Sequence, residues 1–293
     1  MQRADYQGKK VPLSVIILTY NEEANIEQCL RSLHSWVEEI FIIDSFSTDA
    51  TLEICKRYTT HIYQHEFKTQ ADQFNWALDN LPISSEWILR LDADEYLTDG
   101  LKEEIARVIP ILPLEVTALC VKRRVYFMGR WIRFGGYYPT WLLRLFRKGS
   151  ARCEERLMDE HMMLLRGKVG RLNCDIVEHN RKEISEWVEK YNRYASREAS
   201  ELSKGVIGSR HQALADRHIK RKRWLKQNVY ARAPLFLRAI LYFTYRYFLR
   251  LGFLDGVEGF VFHFFQGLWY RFLVDIKIYE SKKAKKVDHP GPA

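Results

Sequence analysis

The chain has few of the features that announce a familiar cofactor or scaffold. Its five cysteines (Cys29, Cys55, Cys120, Cys153 and Cys174) are scattered and form no Cys-x-x-Cys pair. That spacing argues against a structural zinc or a disulfide framework and fits a reducing compartment. No Gly-x-Gly-x-x-Gly follows the first apolar run, and no Gly-rich loop ends in Gly-Lys-Ser/Thr. A nicotinamide dehydrogenase and a P-loop nucleotidase are disfavoured on that ground. No uninterrupted apolar stretch reaches the roughly 18 residues that a membrane span needs. Residues 1–10 are polar and lack the apolar centre of a signal peptide, so a cytosolic location is expected.

Among the 293 residues, 47% are hydrophobic, which supports a full core and excludes wholesale disorder. The formal net charge is +9, a balance that suits phosphorylated substrates, anionic lipid surfaces or nucleic acid alike. No groove-reading motif accompanies the basic residues, so no nucleic-acid partner is expected.

Short β-rich runs alternate with helical periodicity in the amino-terminal half. Residues 13–18, 39–43, 61–63 and 87–91 read as strands, and residues 23–35, 50–58 and 71–81 as helices. Such alternation predicts an α/β fold with a parallel sheet and right-handed crossovers. Ligands of such sheets bind beyond the carboxyl ends of the strands, where polar clusters occur here at residues 19–22, 44–49 and 92–95. Asp92 and Asp94 are separated by one small residue and would point to the same side of a strand end. Two such carboxylates repel unless a cation lies between them, and Mg²⁺ prefers a few carboxylates plus phosphate oxygens. By itself Asp-x-Asp is a weak signal that is also compatible with a solvated turn.

The last third is strongly aromatic and basic, with a run of cations at residues 217–226. On a helical wheel, Arg232, Arg238, Arg246 and Arg250 gather on one arc, and apolar residues fill most of the remainder. This pattern fits an interfacial helix on an anionic membrane surface and equally a helix packed on its own domain. The domain boundary is expected between 215 and 216, with a catalytic domain at 1–215 and an amphipathic helical region at 216–293.

Residues 14–22, 42–49 and 91–95 together resemble the glycosyltransferases of family 2, which have the GT-A fold. The similarity is greatest to the bacterial WaaE/KdtX-like branch, which builds lipopolysaccharide core and other cell-surface glycans. Arg144-Leu145-Phe146-Arg147, Met158-Asp159-Glu160-His161 and residues 190–195, 252–256 and 277–280 extend it. The resemblance implies a Rossmann-like, mostly parallel sheet and an inverting, hexosyltransferase-like reaction from a nucleotide-sugar, a UDP-sugar first among them. It implies a divalent cation, Mg²⁺ or Mn²⁺, on the diphosphate, and a lipid-linked glycan or lipopolysaccharide-core acceptor. The enzyme would sit peripherally on the inner face of the cytoplasmic membrane.

Carried over by position, Thr19, Tyr20, Asn21 and Glu22 would line the nucleotide pocket. Asp44 would read the base with Ser45 and Ser47 nearby, Asn75 and Asp92 would meet the donor, and Asp94 would hold the metal. Asp44-Ser45 departs from the two adjacent aspartates of many relatives, which leaves the identity of the base open. Glu160 is the first candidate for the general base and Asp159 the second, because a carboxylate near the acceptor hydroxyl can take its proton. His179 is a further candidate metal or diphosphate ligand, His161 could orient the base, and Arg144 could pair with phosphate. Tyr137 and Trp141 belong to an aromatic stretch suited to packing on the faces of an acceptor sugar. Two other readings stand beside this one: a sugar-phosphate nucleotidyltransferase, which usually carries a Gly-rich basic loop absent here, and a non-enzymatic basic binding protein.

Overall fold

The computed structural model describes residues 10–155, 161–203 and 233–288. Contacts divide the chain into two units. The first comprises residues up to 131 together with 138–181, and the second comprises 132–137 together with 182 onward. The division thus falls before a long helix at residues 184–203, and the expected boundary at 215/216 lies outside the described residues.

In the first unit, the elements run β1 (Val11–Thr19), α1 (Ile26–Arg31), β2 (Val37–Asp44), α2 (Thr51–Lys56), β3 (Ile62–Gln64), α3 (Gln70–Asn80), β4 (Trp87–Asp92), β5 (Glu95–Leu97) and α4 (Asp99–Val108). They continue with β6 (Val116–Phe127), β7 (Arg130–Ile132), β8 (Thr140–Arg147), β9 (Ala151–Cys153), β10 (Met162–Leu164) and β11 (Lys168–His179). One sheet has the order β3-β2-β1-β4-β8-β6-β11-β5, with β7 paired to β6, and β9 and β10 form a separate hairpin. The β1–β2, β1–β4, β2–β3 and β6–β11 pairs are parallel, whereas β8 runs antiparallel to β4 and β6, and β5 antiparallel to β11.

Alternation along β1 shows why these residues form a central strand. Leu13, Val15 and Ile17 face a core shared with Leu30, Leu89, Leu101 and Ile105 on one side of the sheet. Ile16 faces the other side, with Phe41, Phe74, Ile88 and Phe146. Both faces are covered, so the strand reads as an unbroken apolar run. Helix α3 begins where Thr69 accepts a hydrogen bond from the Asp72 amide, and α4 begins likewise at Thr98.

The second unit is helical. It contains α5 (Ile184–Ser203), α6 (Leu237–Thr244) continuing as a π-helical turn at Tyr245–Leu249, a 3-10 turn at Gly252–Asp255, and α7 (Gly256–His263). A second π-helical turn, Phe264–Trp269, leads into α8 (Tyr270–Asp288). Ala195 and Ala199 of α5 pack on Tyr270, Val274 and Ile278 of α8. Residues 132–137 join this unit through buried Asp255, which accepts from the amides of Arg133 at 3.1 Å and Phe134 at 2.9 Å. For Arg238 and Arg246 the structure decides between the two packings open to the arginine seam, and both face the interior of their own unit. Arg238 and Arg246 are buried, Arg238 on the Asp275 carboxylate and Arg246 on the Gly135 carbonyl at 2.7 Å. Among the described residues, no helix is long and apolar enough to cross a membrane.

Candidate active site

Parallel pairing sets the carboxyl ends of β1, β2 and β4 side by side. Thr19 is in register with Asp44, and Leu18 with Asp92. The Thr19 hydroxyl donates to Asp44 Oδ1 at 2.9 Å. Ser47 wraps the same carboxylate, its amide donating to Oδ2 at 2.8 Å and its hydroxyl to Oδ1 at 2.5 Å. Asp44 is fully buried and so builds the turn as well as tipping the strand.

The loops after β1 and β2 are stitched together. The Asn21 amide donates to the Ser47 hydroxyl at 2.9 Å, and the Thr48 amide donates to Asn21 Oδ1 at 2.8 Å. Asn21 has φ +51°, a region where asparagine is among the better-tolerated side chains. The Glu22 amide donates to Thr51 Oγ1 at 2.7 Å. Ser45 accepts from the Gln73 amide at 2.7 Å, so its hydroxyl is held from α3. This frame leaves the rings of Tyr20 and Phe46 exposed at the tips of adjacent strands.

At the end of β4 lies a compact ionic network. Arg144 of β8 donates to Asp92 at 2.8 Å and to Glu95 at 2.6 Å. Arg90 Nε lies 3.9 Å from Asp92, and Arg123 pairs with Glu178 at 2.6 Å. Burial alone would raise the Asp92 pKa, but the charges of Arg144 and Arg90 hold it well below the usual carboxylate range. Glu95 goes the other way: burial, with the Asp92 charge adding to it, pushes its carboxyl up to about 8 against the opposing pull of Arg144. Arg144, expected to meet phosphate, is instead committed to these two carboxylates, which is what its nearly complete burial requires.

Asp94 and His179 are brought together by main chain, the His179 amide donating to the Asp94 carbonyl at 2.8 Å. Burial and then the Arg181 charge lower the His179 pKa from its ordinary value and so favour the neutral imidazole. Among the described residues no group of three or more His, Cys, Asp or Glu could hold a metal ion. Mg²⁺ keeps several waters and binds through one or two carboxylates plus substrate phosphates, so a cation held on a diphosphate needs few protein ligands.

The remaining expected residues are dispersed. Asn75 is buried and uses both ends of its amide on Cys153: Nδ2 donates to the carbonyl at 3.0 Å, and Oδ1 accepts from the amide at 2.9 Å. It thereby anchors β9, the strand that leads into residues 156–160. Asp159 and Glu160 lie outside the described residues. The ends of their segment are joined, with the Glu154 amide donating to the His161 carbonyl at 2.9 Å, and the His161 side chain is exposed. Trp141 lies on β8 with Arg171 5.1 Å and Lys122 5.9 Å from its ring. Tyr137 belongs to the second unit, where the Arg246 guanidinium covers its ring at 3.8 Å.

Sequence reasoning missed Arg90, Glu95, Gln73 and Asn25. Asn25 accepts from the Arg181 amide at 2.8 Å and donates to Glu22 at 2.7 Å, tying the loop after β1 to the end of β11. Only Glu95 carried a local signal, as a third acid directly after Asp92 and Asp94.

An α/β sheet with acidic and polar strand tips gathered at one end, built on Thr19, Asp44 and Asp92, agrees with the nucleotide-sugar-dependent transferases that the sequence resembles. The family model for glycosyl transferase family 2 matches residues 14–166, just over half of the chain, and the protein belongs to that family. It is similar to the lipopolysaccharide core biosynthesis glycosyltransferase LpsC of Rhizobium meliloti, with 28% identity over 94% of this chain and 95% of that one. The glycosyltransferase SunS of Bacillus subtilis is 31% identical over 37% of this chain and 26% of its own length. A crystal structure of S. aureus TarS residues 1–349 with UDP-GlcNAc aligns with 93% of this chain and 92% of that one, at 15% identity and a TM-score of 0.46.

Proposed function

We propose that this glycosyltransferase is an inverting enzyme that transfers a sugar, a hexose in the first instance, from a UDP-sugar to a lipid-linked glycan or lipopolysaccharide-core acceptor. It works peripherally at the inner face of the cytoplasmic membrane. The observation that carries the reading is the hydrogen-bonded register of Thr19 with Asp44 beside Leu18 with Asp92, which gathers three polar strand tips at one end of the sheet. Similarity to LpsC along nearly the whole chain supports the acceptor class.

Tyr20 and Phe46 offer exposed ring faces for the nucleobase, and Asn21, Ser45 and Ser47 offer polar groups around it. Asp92 meets the ribose or sugar, its carboxylate kept ionised by Arg144 and Arg90. Asp94 and His179 would hold a divalent cation, which supplies Lewis-acid stabilisation of the leaving diphosphate when bound. Glu160, with Asp159 as second choice, takes the proton from the acceptor hydroxyl as the donor bond breaks. Asn75 contributes by pinning Cys153 at the root of that segment.

The test is incubation with a panel of nucleotide-sugars and Mn²⁺ or Mg²⁺, reading release of nucleoside diphosphate. Turnover with a UDP-sugar, falling by about 100-fold or more in Asp94→Ala and in Glu160→Gln, is the expected result. No binding or turnover with any donor would refute the reading. A metal-dependent rate unchanged in Asp94→Ala would refute the metal assignment, and loss only in Asp159→Asn would move the base to Asp159.

A further inference from the structure

One stretch of the second unit has its charges inside and its apolar side chains outside. Along α6 and its π-helical extension, the charged side chains point inward and the large apolar ones outward. Arg238 is 4% exposed and Arg246 9%, and each has its partner within the unit. Asp275 of α8, fully buried, takes the Arg238 guanidinium and also the Phe236 amide at 2.7 Å. Arg246 donates to the Gly135 carbonyl and to Tyr242 Oη at 2.9 Å, and stacks on Tyr137.

Outside lie Leu241, Phe248 and Leu249 on one arm and Leu254, Val257 and Phe260 on the other, all exposed, with Leu249 at 73% and Val257 at 75%. A water-facing helix has the reverse pattern, with its apolar stripe on the core and its charges in solvent. Exposed apolar surface of this continuity marks an interaction site.

The chemistry of the surroundings selects the occupant. Between residues 237 and 260 the acids are Asp255, which is buried, and Glu258, which is half-buried, against the three cations Arg238, Arg246 and Arg250. Exposed cations stand at its ends: Arg250 at the bend, and Lys282 and Lys283 towards the end of α8. The basic run at 217–226 precedes it in the sequence. Apolar side chains, a single half-buried acid at Glu258 and flanking cations match the acyl and headgroup layers of an anionic bilayer leaflet. The bend is compatible with shallow burial. Leu251 adopts φ +59°, and a Cβ on Gly252 would press on His263, so the two arms are folded back on each other and cannot extend into a span.

We infer that the surface formed by residues 237–260 is a monotopic membrane anchor, inserted into one leaflet mainly by its apolar side chains, with the surrounding cations in a supporting role. This deepens the membrane-face reading of the proposed function by naming the surface and the force. Its deciding readout is vesicle flotation, which involves no sugar donor, so the two can fail separately.

The experiment is flotation of the full-length protein with vesicles of phosphatidylcholine and phosphatidylglycerol, at about 0.15 M and about 0.5 M NaCl. The native protein is expected to float at both salt concentrations, because insertion of apolar surface is not screened. Leu249→Glu with Val257→Glu is expected to lower binding by about tenfold or more. These variants should keep the native melting temperature and the native rate of donor hydrolysis, since both side chains are exposed and remote in sequence from the strand tips. Failure of the native protein to float, equal flotation of the double variant, or loss of all binding at the higher salt would each overturn the inference. So would a native dimer in lipid-free buffer that the double variant dissociates without vesicle binding, which would assign the surface to a second copy of the chain.

Discussion

Arg144 donates to Asp92 at 2.8 Å from strand β8, the antiparallel neighbour of β4. Through this contact an arginine far along the chain sets the charge of an aspartate at the candidate donor site. The same guanidinium also reaches buried Glu95, so removal of Arg144 strands the Asp92 carboxylate and takes a hydrogen-bond donor from Glu95. Arg144→Met is therefore expected to destabilise the first unit by about 3–5 kcal/mol, the range for breaking a buried pair. Denaturant unfolding measures it. A rise in KM for the donor without loss of stability would instead place Arg144 on the phosphate.

Glu95 makes stability depend on pH in a defined window. Its folded carboxyl is raised from 4.5 to about 8, so between those values the folded state holds a proton that the unfolded state releases. Stability from this group is complete below about pH 4.5 and is lost as pH rises through about 8. His179, lowered from 6.5, acts oppositely but below about pH 6.5, and Asp92, lowered from 3.8, acts below about pH 4. Melting temperature is thus expected to fall between about pH 6.5 and 8 and to level off above it, and Glu95→Gln should flatten that fall. An unchanged slope in the variant would remove Glu95 as its source.

Asn75 pairs with the backbone of Cys153 as one strand pairs with another. Asn75→Ala removes both of these hydrogen bonds from buried Cys153, a cost of about 0.5–1.5 kcal/mol for each bond. Faster hydrogen exchange confined to residues 151–164 is expected, together with a lower kcat and little change in donor KM. Uniformly faster exchange across the whole sheet would contradict this local role.

Gly135 has φ +66°, and a Cβ there would land on the His263 imidazole. Gly135→Ala meets both backbone strain and a collision, and is expected to cost at least about 1–3 kcal/mol. The loss should appear in the helical unit, read by tryptophan fluorescence from Trp187 and Trp269 during denaturation. Gly129 also has a positive φ but open space around it, so Gly129→Ala should cost less.

The strands and helices of the amino-terminal half were legible in the sequence because the information is local. β1, β2 and β4 are unbroken apolar runs closed by polar tips, and parallel pairing alone brings Thr19, Asp44 and Asp92 to one end of the sheet. The family was legible for the same reason, since its motifs are those tips. Strand β6 was not, because Lys122, Arg123 and Arg124 interrupt its pattern. Their charges are met by Asp175 and Glu178 on β11, more than fifty residues away. The direction of α6 was equally hidden. A helical wheel separates arginines from apolar residues but does not say which side is inside, and here Asp275 on another helix draws Arg238 inward. Local spacing determined which elements form and which residues tip them. Only the tertiary structure decided where buried charges find partners, because a charge leaves water only when a distant segment supplies its counter-charge.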